Sequence, residues 1–368
     1  KYRPTKLSEV IGQPVTVQAL TNAFKAGDVH HAFILGGNLG CGKTTLARIM
    51  AAMDSCQTKG FDPCGKCSNC KEIFAGKSID IKEIDAASNR GIENIRNLKK
   101  ECQYHPVNCR MKYFIIDEAH ALTGYAAEAA LKIIEEPPAH VRFVLCTTAP
   151  HLIKDTIHSR CIYFKFNKVS WNDLHQHLVN IAKEEDIAYS DDALQIIAKS
   201  SSGSVRNALQ NLQSVVSYAG GEKLTDKHVR EILGLPDERL YFELIDAISK
   251  INVYKGMQTI VALLRDGRDA KSIIDGLELH LRNIMLMITC QKHLKSSGFL
   301  EEQIKRYEYQ VANLTKTKEK IGLVLQLLKS LYDINRGLVL NLDPQILLER
   351  YLIEAIITKR QLESAASG

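Results

Sequence analysis

Apolar positions in the first 166 residues follow two rhythms. Short runs at residues 31–35, 79–84, 113–116 and 141–146 are rich in β-branched and aromatic side chains and predict strands. Most are followed by apolar residues at i, i+3, i+4 spacing, which predicts helices. That alternation predicts an α/β fold: a parallel sheet with helices on both faces. After about residue 166 the strand signals stop. Residues 171–219 read as helices, with Ser190 and Ser204 as start signals and Gly220-Gly221 as a stop; a short helix follows from near Thr225. From about 235 to 359 the chain is again helical, and residues 321–331 and 346–357 carry an apolar stripe. The expected division is a sheet domain over 1–168, a small helical domain over 169–233, an all-helical domain over 234–360, and a small, polar tail over 361–368 that is expected to fray.

Composition changes this picture little. With 368 residues there is room for two or three domains, and 45% apolar and 24% charged residues are ordinary for globular chains. A formal charge of +6 permits a polyanionic partner without demanding one. No apolar run is long enough to span a bilayer; residues 284–288 are flanked by Arg282 and Lys292 and read as a core helix, so no membrane partner is expected. The chain opens Lys1-Tyr2-Arg3-Pro4, without an apolar signal region, although it does not begin with Met. A cytoplasmic location with ten reduced cysteines is the expectation.

Candidate chemistry begins at residues 37–44, which fit G-x-x-x-x-G-K-[ST] between a predicted strand and a predicted helix. Gly37, Gly40, Cys41 and Gly42 would turn backbone N–H groups toward phosphates. The helix that opens with Lys43, Thr44 and Thr45 adds its positive end. Lys43 would reach the β- and γ-phosphates of ATP, and the Thr44 hydroxyl would bind Mg²⁺. The plain alternative is a glycine-rich turn before a helix. Residues 113–116 then lead into Asp117 and Glu118 at a strand tip. Asp117 could hold the Mg²⁺ shell and Glu118 could polarise a water, which implies hydrolysis as well as binding.

Four cysteines, Cys56, Cys64, Cys67 and Cys70, fall in one short segment within residues 54–76. Four thiolates at this spacing can enclose a tetrahedral Zn²⁺ with no open position, making the site structural. An iron–sulfur cluster uses similar spacing, but no redox partner motif accompanies it. The remaining cysteines are scattered and read as single thiols.

Taken in order, these motifs resemble one family. Arg3-Pro4, residues 10–13, the phosphate loop, the cysteine insertion and residues 84–92 come first. Residues 117–120, Glu135-Glu136-Pro137-Pro138, Thr147-Thr148, Ser159-Arg160-Cys161 and residues 203–206 follow. The set is similar to the gamma/tau subunits of bacterial DNA polymerase III, the AAA+ ATPases of clamp loaders. The resemblance covers most of residues 1–230 and implies a lid domain at 169–233 and a collar domain after it. It implies that Arg160 is an arginine finger reaching a neighbouring subunit's nucleotide. Thr148 would be a first phosphate sensor and Arg206 a second. Tyr2, Arg3, Pro4, Val10, Ile11 and Gly12 would border the adenine. Ser88, Asn89, Arg90 and Thr123 would follow duplex phosphates from helix starts. Partners implied are the other subunits of a hetero-oligomeric ring, a pentamer by resemblance, together with a sliding clamp and primer-template DNA. Considered alone, Arg160 reads as a surface ion pair, Arg206 as a helix-start salt bridge, and Ser88 and Thr123 as ordinary caps. Asn38-Leu39 stands where the family usually has Thr-Arg, and Lys154 where a Pro is common. Other readings are a translocating or initiating AAA+ DNA machine and an ATP-binding scaffold that never hydrolyses.

Overall fold

Five parallel strands organise the first part of the chain: β1 (Ala32–Gly37), β2 (Ile81–Asp85), β3 (Lys112–Asp117), β4 (Val141–Thr147) and β5 (Ile162–Phe166). The computed structural model describes all residues except 1, 59–60, 89–91, 123, 236, 266–269, 291–300, 315–319, 340–341 and 366–368. At 92–97, 124–126, 128–129, 301–302 and 339 it describes no side chain. The sheet order is β2-β3-β4-β1-β5, with pairs such as Ile84↔Ile116, Phe114↔Phe143 and Leu35↔Cys146 in register. Four strands lie where the apolar runs predict them.

The fifth is a correction, because no strand is expected from residues 162–166. β5 pairs on one side only, with β1, and leaves Ile162 and Tyr163 exposed, so its burial does not alternate cleanly.

Both faces of the sheet are covered. Ile34, Phe114, Ile116, Phe143 and Leu145 pack with Leu98 and Cys102 of α4 (Ile92–Gln103) and Ala130, Ile133 and Ile134 of α5 (Gly124–Glu135). Phe33, Leu35, Tyr113, Ile115 and Val144 pack on Leu20 of α1 (Pro14–Ala26) and Leu46, Ile49 and Met50 of α2 (Lys43–Ser55). Strands covered on both sides are apolar along most of their length, which is why they read as runs. From β1 the chain passes α2 and α3 (Ser68–Phe74) to the edge at β2, then returns through β3 and β4. The carboxyl ends of β1, β4 and β3 therefore flank the crevice where parallel sheets bind ligands.

After α6 (Asp155–His158) and β5 come α7 (Trp171–Glu184), α8 (Asp191–Ser200) and α9 (Val205–Ala219). Each starts at a serine whose hydroxyl accepts a backbone N–H: Ser170 from Asp173, Ser190 from Ala193 and Ser204 from Asn207. Such a cap contributes about 1 kcal/mol. Gly220, at φ 58°, closes α9. The starts at Ser190 and Ser204 and the stop at Gly220 match the sequence reading.

The chain folds as two compact units, Lys1–Asp226 and Lys227–Gly368, which divide at the start of α10 (Asp226–Leu233). The second unit holds α11 (Glu238–Ser249), α12 (Val253–Leu264), α13 (Ala270–Thr289), α14 (Glu301–Asn313), α15 (Lys320–Val339) and α16 (Pro344–Ala365) around one apolar core. Ile284 is fully buried in α13, as a core-helix reading requires. α16 runs to Ala365 and so takes in residues 361–365 of the expected tail; 366–368 lie outside the described residues. Among the described residues no helix is long and apolar enough to cross a membrane.

Candidate functional site

The phosphate loop connects β1 to α2. Gly42 is the N-cap of α2 at φ 101°, a left-handed conformation that glycine adopts without penalty. Gly40, at φ 74°, meets a second demand. A Cβ there would overlap Ser204 Oγ and press on Arg206 Cβ at 3.0 Å. Its carbonyl accepts N–H groups from Val205 at 3.1 Å and Arg206 at 3.4 Å. The first turn of α9 is thereby docked on the loop.

Lys43 is almost fully buried, and its ammonium donates to the carbonyls of Gly37 (2.7 Å) and Asn38 (2.9 Å). The Thr44 hydroxyl donates to Asp117 Oδ2 at 2.9 Å, so the two residues paired by the sequence reading meet across the gap between α2 and β3. Glu118 follows in a left-handed conformation (φ 48°, ψ 44°), which costs a non-glycine residue about 1–2 kcal/mol. Its Oε2 accepts the Thr148 hydroxyl at 2.9 Å. Cys41 donates its thiol to the Asn38 carbonyl at 2.9 Å, and burial pushes its pKa up, which favours the protonated thiol.

These groups face a cavity of about 330 Å³. Gly40, Cys41, Gly42, Lys43, Thr44, Thr45, Asp117 and Glu118 line one end, with Arg206 reaching in from α9; Tyr2, Arg3, Pro4 and Val10 line it from the N-terminal segment. Tyr2 donates its hydroxyl to Glu185, tying that segment to the end of α7. Burial first, then the like charges of Arg48 and Arg206, lowers the pKa of Arg3. Arg48 is paired with Glu83 at 2.5 Å. Lys43, Arg3 and Arg206 thus leave a cationic rim suited to a polyphosphate.

Gly12, Gly37 and Thr148 are not among the lining residues. Gly12 sits against Val169 just before α1, Gly37 accepts the Lys43 ammonium, and Thr148 acts on Glu118. Ile11 lines the cavity beside Val10; sequence reasoning missed Glu9, His177, Val205, Leu209 and Gln210, which also line it. Burial lowers the His177 pKa against the opposing pull of Glu184, which favours the neutral imidazole on this wall. A period-3.6 reading of α7 and α9 could identify their inward faces but not that a ligand lies between them and the sheet.

Arg160 does not line this cavity. Its Nη1 donates to the Thr156 carbonyl (2.8 Å) and Ser159 Oγ (3.0 Å), and its Nη2 lies 2.5 Å from Glu135 Oε1, with both side chains more than a third exposed. The Ser88 hydroxyl donates to Asp85 Oδ2 at 2.6 Å in the turn that ends β2. Asn89, Arg90 and Thr123 lie outside the described residues.

The ligand atoms of Cys56, Cys64, Cys67 and Cys70 all lie within 4.8 Å of one another. Zn–S bonds of about 2.3 Å at tetrahedral angles place sulfurs about 3.8 Å apart, so the thiols fit one such ion. Backbone N–H groups point at the sulfurs: Cys64 at Cys56 (3.4 Å), Cys67 at Cys64 (3.3 Å) and Cys70 at Cys67 (3.4 Å). The Thr58 hydroxyl, then the N–H groups of Cys67 and Lys66, hold the Cys64 thiol at a pKa of about 5. Donors of this kind favour thiolate at Cys64, the form that ligates metal, whereas burial pushes the Cys70 thiol up.

A five-stranded parallel sheet, a phosphate loop and a helical lid docked on that loop define an AAA+ fold. A solved structure titled as a RuvB Holliday junction branch migration motor from Thermotoga maritima aligns with a TM-score of 0.50, 22% identity and coverage of 77% of this chain and 91% of that chain. That likeness concerns the fold. Family models described as "DNA polymerase III, delta subunit", "DNA polymerase III clamp loader subunit, ATPase lid domain" and "DNA polymerase III subunits gamma and tau domain III" match residues 12–170, 173–221 and 224–362. DNA polymerase III subunit gamma of Buchnera aphidicola subsp. Acyrthosiphon pisum is 35% identical over 328 residues, 88% of this chain and 89% of the relative. Subunit tau of Escherichia coli (strain K12) is 38% identical over 261 residues, 71% of this chain. The chain belongs to the DNA polymerase III gamma/tau family. The matched region spans 40% of the length of the tau relatives.

Proposed function

We propose that this chain is an ATPase motor subunit of a sliding-clamp loader, in which ATP binding promotes clamp opening and primer-template DNA binding, and hydrolysis releases the loaded clamp. The observation that carries the reading is the convergence of Lys43, Thr44, Asp117 and Glu118 on one cavity that Arg206 closes from the lid. A passive nucleotide scaffold has no need of a poised carboxylate beside the Thr44–Asp117 pair. Lys43 would hold the β- and γ-phosphates, and Arg206 would report their presence to α9. Thr44 and Asp117 would hold Mg²⁺, whose chemical contribution is to neutralise charge on the phosphoryl oxygens. Tyr2, Arg3, Pro4, Val10 and Ile11, which line the cavity, would border the adenine. Glu118 would polarise the attacking water, and Thr148 would sense the γ-phosphate.

The proposed division is an ATPase domain over 1–168 with the cysteine insertion at 54–76, a lid over 169–233 and a collar over 234–360. The proposed setting is a cytoplasmic hetero-oligomeric ring, a pentamer in the family pattern. Exposed apolar stripes fit the collar role: Ile321, Leu325 and Tyr332 follow one line on α15, and Ile346, Ile353 and Ile357 another on α16. Arg160, outside its own cavity, would serve the neighbouring one. Ser88, Asn89, Arg90 and Thr123 would follow the DNA backbone without reading sequence.

Zn²⁺ held by Cys56, Cys64, Cys67 and Cys70 would fix the segment between α2 and α3. Elemental analysis of protein purified without added metal is expected to give about one Zn per chain. Metal-free protein that is fully folded contradicts the assignment.

The loader reading is separated from a translocating motor by a paired assay. With its partner subunits, the chain should place a clamp on primed circular DNA in an ATP-dependent way and should not drive branch migration. Branch migration without clamp loading would replace the reading.

A further inference from the structure

We propose that His120 is a positioning residue for Glu118, holding one carboxylate oxygen so that the other faces the nucleotide cavity; the inference rests on the ATPase reading of that cavity. The local chain geometry puts the imidazole there. β3 ends at Asp117, Glu118 turns the backbone into the left-handed region, and a 3₁₀ turn follows over Ala119–Ala121. The turn is closed by Ala121 N–H to the Glu118 carbonyl (2.8 Å) and Leu122 N–H to the Ala119 carbonyl (3.1 Å). This folds His120 back beside the Glu118 side chain.

His120 Nδ1 lies 3.3 Å from Glu118 Oε2 and 3.1 Å from Thr147 Oγ1. Thr147 is wholly buried at the end of β4, where its Oγ1 also accepts the Ala149 N–H at 3.0 Å. The Thr148 hydroxyl donates to the same Oε2 at 2.9 Å. Oε2 therefore accepts the Thr148 hydroxyl and has the His120 imidazole, anchored on Thr147, 3.3 Å away, while Oε1 accepts no hydrogen bond from the described residues. A general base needs an acceptor atom that is both available and fixed in direction. Tying one oxygen of a flexible carboxylate fixes the direction of the other, and Glu118 lines the cavity.

The proton on the imidazole follows from the same network. With a proton on Nδ1 the ring turns a donor toward Thr147 Oγ1 and the nearby Oε2; without one, Nδ1 can accept the Thr147 hydroxyl but presents only a lone pair to the carboxylate. The Nδ1–H form is the one that holds Glu118, an assignment made from its neighbours. His120 is not among the residues lining the cavity, so its effect passes through Glu118.

The test compares His120→Ala, His120→Asn and His120→Gln in the assembled ring, measuring ATP Kd and kcat separately. The Ala variant is expected to lose about tenfold in kcat with Kd changed less than about twofold. The Asn amide nitrogen can take the place of Nδ1 and should recover most of the rate. Gln, whose amide reaches the Nε2 position, should not. In a Glu118→Gln background, adding His120→Ala should change kcat no further. Wild-type kcat in the Ala and Gln variants overturns the proposal, as does an undiminished tenfold loss in the Glu118→Gln background. If Ala fails to fold, the Asn and Gln pair decides: equal rates overturn it. Absence of ATPase activity in the wild-type ring, or a Glu118→Gln ring as fast as wild type, overturns the underlying ATPase reading instead.

Discussion

Replacing Arg160 with Ala should lower ATP turnover by the assembled ring by about 10³-fold or more, while each chain still binds ATP. The expectation comes from where the guanidinium lies. It is tied to Glu135, Thr156 and Ser159 at the surface and does not line the cavity of its own chain. An exposed ion pair of this kind contributes about 1 kcal/mol or less, so a neighbour's phosphate can displace Glu135 at little cost. An isolated chain should accordingly bind ATP and turn it over slowly. Mixing Arg160→Ala with Glu118→Gln chains should restore part of the rate, since one chain supplies the finger and the other the intact cleft. Full activity of the dilute monomer contradicts action in trans.

The second large effect belongs to Glu118. Glu118→Gln keeps the shape of the side chain and the Thr148 hydroxyl as a donor to it, but removes the basic oxygen. ATP turnover should fall by about 10²–10⁴-fold with ATP affinity nearly unchanged. A ring carrying it should grip clamp and DNA in the presence of ATP and fail to let go. Turnover close to wild type would mean that another group orients the water, and the strained turn at Glu118 would then need a different explanation.

The parts of the molecule that were legible in the sequence are those set by local rules. β1, β3 and β4 sit between two layers of helices, so most of their positions are apolar and the run is visible. The caps at Ser190 and Ser204 announce α8 and α9 because one side-chain oxygen satisfies an N–H within its own turn. The phosphate loop and the Cys56–Cys70 segment are contiguous, and their spacing carries their chemistry. β5 escaped notice because an edge strand leaves Ile162 and Tyr163 half-exposed and loses the pattern of burial. The cavity wall formed by His177, Leu209 and Gln210 escaped notice for another reason. Its residues come from α7 and α9, and meet only when α9 docks on Gly40. The same holds for the contact of Glu135 with Arg160, which joins the end of α5 to the residues just after α6. His120 was visible as a letter in a motif, but its hold on Glu118 depends on the left-handed turn between them.

The most direct measurement is the ATPase rate of this chain alone, then with partner subunits, sliding clamp and primed DNA added separately and together. Strong stimulation only when all are present is the result that a clamp-loader motor predicts. Stimulation by branched or duplex DNA alone, indifferent to the clamp, would contradict that account and favour a translocating motor.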